Sequence, residues 1–217
     1  MKSRFQYELS GLTAQLAQMC VMAGQAMNDA TLALLQTDAG VADGVILRHE
    51  DISAMGSSAE ETAFLLLTSQ ARMAADLRSV VSALHITTDA ERMGELAVRV
   101  AEIARRRRSG HAVPDEVVGP IADMSALAVA QARTAQEALL SGDRRTPAHA
   151  LHDHAVVKEL HRRLLTGLID KGRAGTADVD VALAGCLYEH FSDHAVHIAR
   201  HVVSGHPAHY ERPALSG

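Results

Sequence analysis

From Phe5 onward, apolar residues recur every three or four positions. Leu9, Leu12, Leu16, Met19, Ala23, Met27, Ala30 and Leu34 lie along one stripe of a helix. The stripe predicts one long amphipathic helix ending near "TDAG", residues 37–40. A second helical stretch runs from Val45 to Arg108 without a proline. As one helix it would be about 100 Å long at ~1.5 Å per residue, too long for a chain of this size to cover. It is expected to fold back once, at "TSQA", residues 68–71. "SGHAVP" (109–114) then reads as a linker, with Pro114 at a helix start and Asp115 and Glu116 in its first turn. Thr146 before Pro147 marks another start, and "DKGRAGTAD" (170–178) breaks the chain before the last helix. Six helices result, three on either side of the linker.

The two halves resemble each other. "ALLQTD" at 33–38 recurs as "ALLSGD" at 138–143, and Met19 falls on Met124 at the same offset of 105 residues. Glu91 falls on Glu189 and Glu95 on Asp193 at an offset of 98, so the second half has lost about seven residues in one of its connections. The simplest account is an all-α fold of two tandem antiparallel three-helix bundles related by duplication, over residues 1–109 and 110–217.

Composition narrows the function. A hydrophobic content of 47% supports a real core, and with only 3% aromatics and no Trp that core must be built from Ala, Leu, Val, Met and Ile. The formal charge of −5 leaves no global field for nucleic acid or an anionic membrane. The basic run Arg105–Arg108 sits where a helix should end, and reads as cations at its C-terminus. Cys20 and Cys186 have no metal-type neighbours in sequence and read as buried free thiols in a reducing compartment. No apolar run approaches the ~20 residues that span a bilayer, so the expectation is a soluble, cytoplasmic protein.

Carboxylates and histidines carry the candidate chemistry. On the third helix Met93, Leu96, Ala97, Val100 and Ala104 form the buried face, with Glu91, Glu95 and Glu102 almost opposite. On the sixth, Phe191, Ala195, Ile198 and Val202 face in, and Glu189 and Asp193 face out. Like charges four residues apart repel, so their presence in both halves invites a compensating cation, a metal or a partner's Lys or Arg. His190, His194, His197 and His201 form a stripe beside the second acid pair. Imidazole next to carboxylate suits iron, zinc, manganese or nickel, and suits equally a hydrogen-bonded flank of a helix pair. No GxGxxG, P-loop, HExxH, GxSxG or di-iron ExxH motif is present, which argues against an enzyme.

Three stretches, "SRFQYELSGLTAQLAQMCVMAGQAM", "VILRHEDISAMGSSAEETAFLLLTSQARMAADLRSVVSALHITTDAERMGELA" and "LYEHFSDHAVHIA", resemble the PhoU family over nearly the whole chain. "ADLRSVVSALHITTDAERMGELA" (75–97) is the most specific of these. The resemblance implies two three-helix bundles and a regulator that holds the phosphate-starvation response off when phosphate is plentiful. It does so by linking the phosphate ABC transporter, through its ATPase subunit, to a sensor histidine kinase. A homodimer, placed peripherally at the inner face of the membrane through its partners, fits that role. The family's metal signature, an acid, three residues and an acid, carries onto Glu91 with Glu95 and onto Glu189 with Asp193. The expected ions are iron, zinc, manganese or magnesium. Family acids on the neighbouring helix are replaced here by His49 and Ser53 in the first half and by Asp153 and Val157 in the second, so only Asp153 remains an acid. His49, His152 or His154 would substitute. The alternative reading is a helical metal-storage or redox protein with a His/carboxylate centre.

Overall fold

Six helices appear where the periodicity placed them: α1 Arg4–Gln36, α2 Ala39–Ser69, α3 Ala74–Arg106, α4 Asp115–Ser141, α5 Thr146–Asp170 and α6 Thr176–Gly205. The computed structural model describes residues 4–69, 74–106, 113–141, 146–170 and 175–205, without the side chains of 69, 146–151, 204 and 205. Among the described residues there is no strand. The expected boundary between the halves falls outside them.

The first connection has a definite geometry. Thr37 takes a left-handed φ of 56°, and the Asp38 amide donates back to the Ala33 carbonyl at 3.0 Å, which closes α1 with a Schellman bond. The Asp38 carboxylate then accepts from the Gly40 and Val41 amides at 2.9 and 3.1 Å, capping α2. The cap explains why α2 begins at Ala39, six residues before the Val45 expected from hydrophobic spacing alone. A β-branched residue in the left-handed region is strained by about 1–2 kcal/mol. Thr37→Gly should therefore stabilise the protein by about 0.5–1 kcal/mol, after glycine's extra unfolded-state entropy is subtracted. The measurement is a higher urea midpoint with an unchanged slope.

Within each half the three helices pack on one another; across the halves α3 packs on α6 and α1 on α4. The four helices α1, α3, α4 and α6 thus form a continuous centre, with α2 and α5 laid on its two sides. Met19 and Met124, the pair matched by the repeat, are both fully buried in a single apolar cluster with Leu12, Leu16, Met93 and Phe191. At the α1/α4 crossing a Cβ on Gly24 would lie 3.1 Å from the Ala132 Cβ, so small residues set how closely the halves approach. A buried polar network also joins the halves: Thr31 of α1, Ser125 of α4 and Tyr188 of α6 meet through their hydroxyls.

The buried faces fall as the periodicity requires, with Met93, Leu96, Ala97, Val100 and Ala104 of α3 and Phe191, Ala195, Ile198 and Val202 of α6 all inside. Arg105 and Arg106 occupy the last turn of α3, within 3.7 Å of Asp43 and 4.0 Å of Asp180 respectively. Arg107 and Arg108 lie outside the described residues. Cys20 is buried, and desolvation pushes its thiol up to about 12. Cys186 departs from expectation: it is only half-buried, on the flank of α6 with its sulfur 3.9 Å from the His190 ring.

Candidate functional site

The acid pairs do not project freely into water. α2 and α5 cover one flank of α3 and α6, and Glu91, Glu189 and Asp193 lie against that cover. Glu91 reaches across α3 to the backbone of α2, where a Cβ built on Gly56 would lie within 2.9 Å of three Glu91 side-chain atoms. Glycine at 56 therefore makes the room that Glu91 occupies. Desolvation first, then repulsion from Glu60 and Glu95, raises the Glu91 carboxyl above its ordinary range, against a smaller opposing effect of Arg92. Glu95 is half-exposed and paired with Arg92 at 2.5 Å.

On the second half the same positions are filled differently. Glu189 pairs with His161 Nδ1 at 2.5 Å, and Asp193 pairs with His154 Nε2 at 2.8 Å with Lys158 at 3.9 Å. The expectation that Glu189 and Asp193 face out is thus corrected: both are partly covered, with side chains 25% and 37% exposed, because α5 lies over them. His154 is held from its other side by Ser192 Oγ, 2.8 Å from Nδ1.

The duplication explains these differences position by position. His49 falls on His154 and Gly56 on His161 at the offset of 105, and Gly94 falls on Ser192 at the offset of 98. His154 bonds to Ser192; its counterpart His49 faces Gly94, which has no hydroxyl, and His49 Nδ1 is buried without a hydrogen-bond partner. It is therefore His154, next to the sequence candidate Asp153, that reaches the α6 acids. Asp153 itself is half-buried, and Val157 is wholly buried in the core.

The two faces differ in how well they would hold a metal ion. The first has Glu91 facing Glu60 and Glu95, with Arg92 as the nearby cation, and a buried His49 nitrogen with no partner; among the described residues these atoms do not converge into a three-ligand group. The second has its acids already engaged by His161, His154 and Lys158, so a metal there would first have to displace the protein's own donors.

The histidine stripe divides between environments. His190 is exposed, whereas His194 turns to α3 and pairs with Asp89 at 2.8 Å, and His201 stacks on His85 with ring centroids 4.8 Å apart. Among the described residues, Asp89, His194 and His197 are the three-residue His/Cys/Asp/Glu group whose ligand atoms converge within 4.8 Å. Neither Asp89 nor His161 was singled out in the sequence. Asp89 could have been found from His85 four residues earlier, and His161 from the offset that pairs it with Gly56.

Two of these imidazoles give the fold a pH dependence. Burial, then Lys158 and Arg200, lower His154 against the pull of Asp193 and Glu189; burial, then His85 and His197, lower His201 against Asp89. Both are held neutral in the fold, so the unfolded chain binds more protons once pH falls below the ordinary histidine value of about 6.5. Stability should therefore fall on acidification below pH ~6.5, down to the lowered folded-state values. The raised Glu91 carboxyl acts with the opposite sign at lower pH. Urea midpoints at about pH 7.5 and 5.5, compared with those of His154→Gln, isolate the histidine contribution: the variant should show a weaker fall.

The fold and these seams define a class: an all-helical protein built by duplication, with carboxylates and imidazoles gathered where its helices meet. The chain belongs to the PhoU family. A family model for the PhoU domain matches residues 16–104. The chain is 45% identical over 205 residues to the phosphate-specific transport system accessory protein PhoU homolog 2 of Mycobacterium tuberculosis, covering 94% of this chain and 96% of the relative. It is 43% identical to homolog 1 of Mycobacterium leprae, over 94% of this chain and 92% of the relative. Among solved structures, PhoU from Pseudomonas aeruginosa shares the fold with a TM-score of 0.84 at 24% identity, over 92% of this chain and 97% of that one. The phosphate transport system regulatory protein PhoU from Streptococcus pneumoniae does so with a TM-score of 0.83 at 19% identity, over 92% and 95%.

Proposed function

We propose that this chain is a non-enzymatic negative regulator of the phosphate-starvation response, coupling a phosphate ABC transporter to a sensor histidine kinase. The observation that carries the reading is 45% identity to a phosphate-transport accessory protein along almost the full length of both chains. In this reading the seams α2/α3 and α5/α6 are the docking surfaces. Glu91 and Glu95 on one and Glu189 and Asp193 on the other present negative charge, which recruits a basic patch on the ATPase subunit or on the kinase. A metal ion at the α2/α3 seam would be held by Glu91 and Glu95. The fully partnered acids of α6 would act as a carboxylate–imidazole surface without one. The protein acts as a homodimer on the cytoplasmic side of the membrane, reaching it through its partners; among the described residues no helix is long and apolar enough to cross a bilayer.

Deleting the gene for this chain should switch on phosphate-starvation transcripts in phosphate-rich medium, and supplying the chain in trans should silence them. Transcripts that stay silent in the deletion strain would overturn the regulatory reading.

A further inference from the structure

The cluster of Asp89, His194 and His197 lies apart from both acidic seams, where α3 packs on α6 and the two halves of the duplication meet. Asp89 is two positions from Glu91 and so points to a different side of α3. Its Oδ1 pairs with His194 Nδ1 at 2.8 Å and lies 3.9 Å from His197 Nδ1, beyond hydrogen-bonding distance. The two imidazoles come from consecutive turns of one helix and meet nearly at right angles, with an interplanar angle of 87°. Exposure grades across the cluster, with the side chains of Asp89, His194 and His197 exposed by 14%, 27% and 50%. The site is rooted in the α3/α6 seam and open on the His197 side.

We infer that Asp89, His194 and His197 form a binding site for one divalent transition-metal ion of the zinc type, fastening α3 to α6 across the two halves of the molecule. Two neutral imidazoles and a carboxylate are a borderline-soft N₂O set, which favours zinc, cobalt, nickel or copper. Magnesium and calcium call for six or more oxygens. Tetrahedral zinc with bonds of about 2.0–2.1 Å holds its ligand atoms about 3.3 Å apart. Reaching that geometry requires the 2.8 Å contact to open and the 3.9 Å contact to close by roughly half an ångström each, and the two imidazole nitrogens, within 4.8 Å of each other, to settle at the same spacing, a movement that the rotamer freedom of a half-exposed His197 allows. On binding, the ion takes the place of the proton shared between His194 and Asp89, and the open side leaves its fourth position to water. The inference does not rest on phosphate regulation, since the site uses neither acidic seam.

The test uses the full chain, stripped of metal, in a background with Glu91→Gln, Glu95→Gln, Glu189→Gln, Asp193→Asn, His206→Gln and His209→Gln, so that the acidic seams and the C-terminal histidines do not compete. Cobalt(II) is titrated while its ligand-field absorption is followed, and zinc is then added in competition. The expected result is one equivalent of cobalt with the strong absorption of a four-coordinate site, displaced by zinc, and a higher melting temperature with zinc. His197→Gln, at the open edge of the fold, should weaken binding by at least the tenfold that losing even an outer-sphere partner costs, and should abolish the zinc-dependent rise in melting temperature. Asp89→Asn keeps an acceptor for His194 but removes the anionic ligand, and should weaken binding likewise. Absence of the cobalt band, or binding unchanged by His197→Gln and Asp89→Asn, overturns the site.

Discussion

Thr31→Val should destabilise the protein by about 2–4 kcal/mol, although valine closely matches threonine in shape. Thr31 Oγ1 donates to the Met27 carbonyl at 2.8 Å and accepts from Ser125 Oγ at 2.9 Å and from the Tyr188 hydroxyl at 2.8 Å. All three hydroxyl-bearing residues are buried, at 4%, 5% and 0% exposure. Burial pushes the Tyr188 phenol well above its ordinary value, so it stays protonated and acts as donor. Valine removes the single acceptor on which two donors converge, and each donor left unpaired away from water costs about 1–3 kcal/mol. Tyr188→Phe removes one donor and leaves the Ser125–Thr31 bond in place, so its cost should be about 1 kcal/mol. Urea unfolding of the two variants checks the difference. Equal losses would mean that the network does not act as a unit joining α1, α4 and α6.

The second large effect concerns regulation. Glu91→Gln, Glu95→Gln, Glu189→Gln and Asp193→Asn together should abolish repression of the phosphate-starvation response while leaving helicity and cooperative unfolding intact. Amides are the informative replacements here. Alanine at 189 would leave His161, whose Nε2 is already without a partner, with neither ring nitrogen engaged, and so would confuse folding with function. Glutamine at 189 still accepts from His161, and asparagine at 193 still accepts from His154. Only the charge is lost. A reporter driven by a starvation promoter, read in phosphate-rich medium, checks the outcome, with circular dichroism as the control for folding.

Much of this architecture was legible before any coordinates. Apolar spacing located the buried faces of α3 and α6, because a helix in a bundle must present one continuous stripe to the core, and together with the turn and cap residues it located six helices and the fold-back near residues 68–71. The start of α2 was missed because it depends on a left-handed turn at Thr37 and a side-chain cap by Asp38 rather than on hydrophobic rhythm. The acids were read as outward because a helical wheel carries one core face, whereas α3 and α6 are flanked again by α2 and α5. The partners that decide their chemistry, Gly56, His49, His154 and His161, lie on those flanking helices. Periodicity cannot pair residues across helices, but the duplication offsets can, and applied to α2 and α5 they match His49 with His154 and Gly56 with His161. The histidine stripe of α6 was visible as a pattern, while its division between solvent and α3 depends on a crossing that only the tertiary fold supplies.

The central claim is that the acidic seams are docking surfaces for a signalling partner. It is tested most directly by calorimetric titration of the purified protein against the cytoplasmic part of a phosphate-sensing histidine kinase, for the wild type and the four-amide variant, with added metal and again with chelator. The account predicts saturable binding by the wild type, lost in the variant; loss with chelator as well would give a metal at the α2/α3 seam a part in docking. Binding by the variant as tight as by the wild type would contradict it.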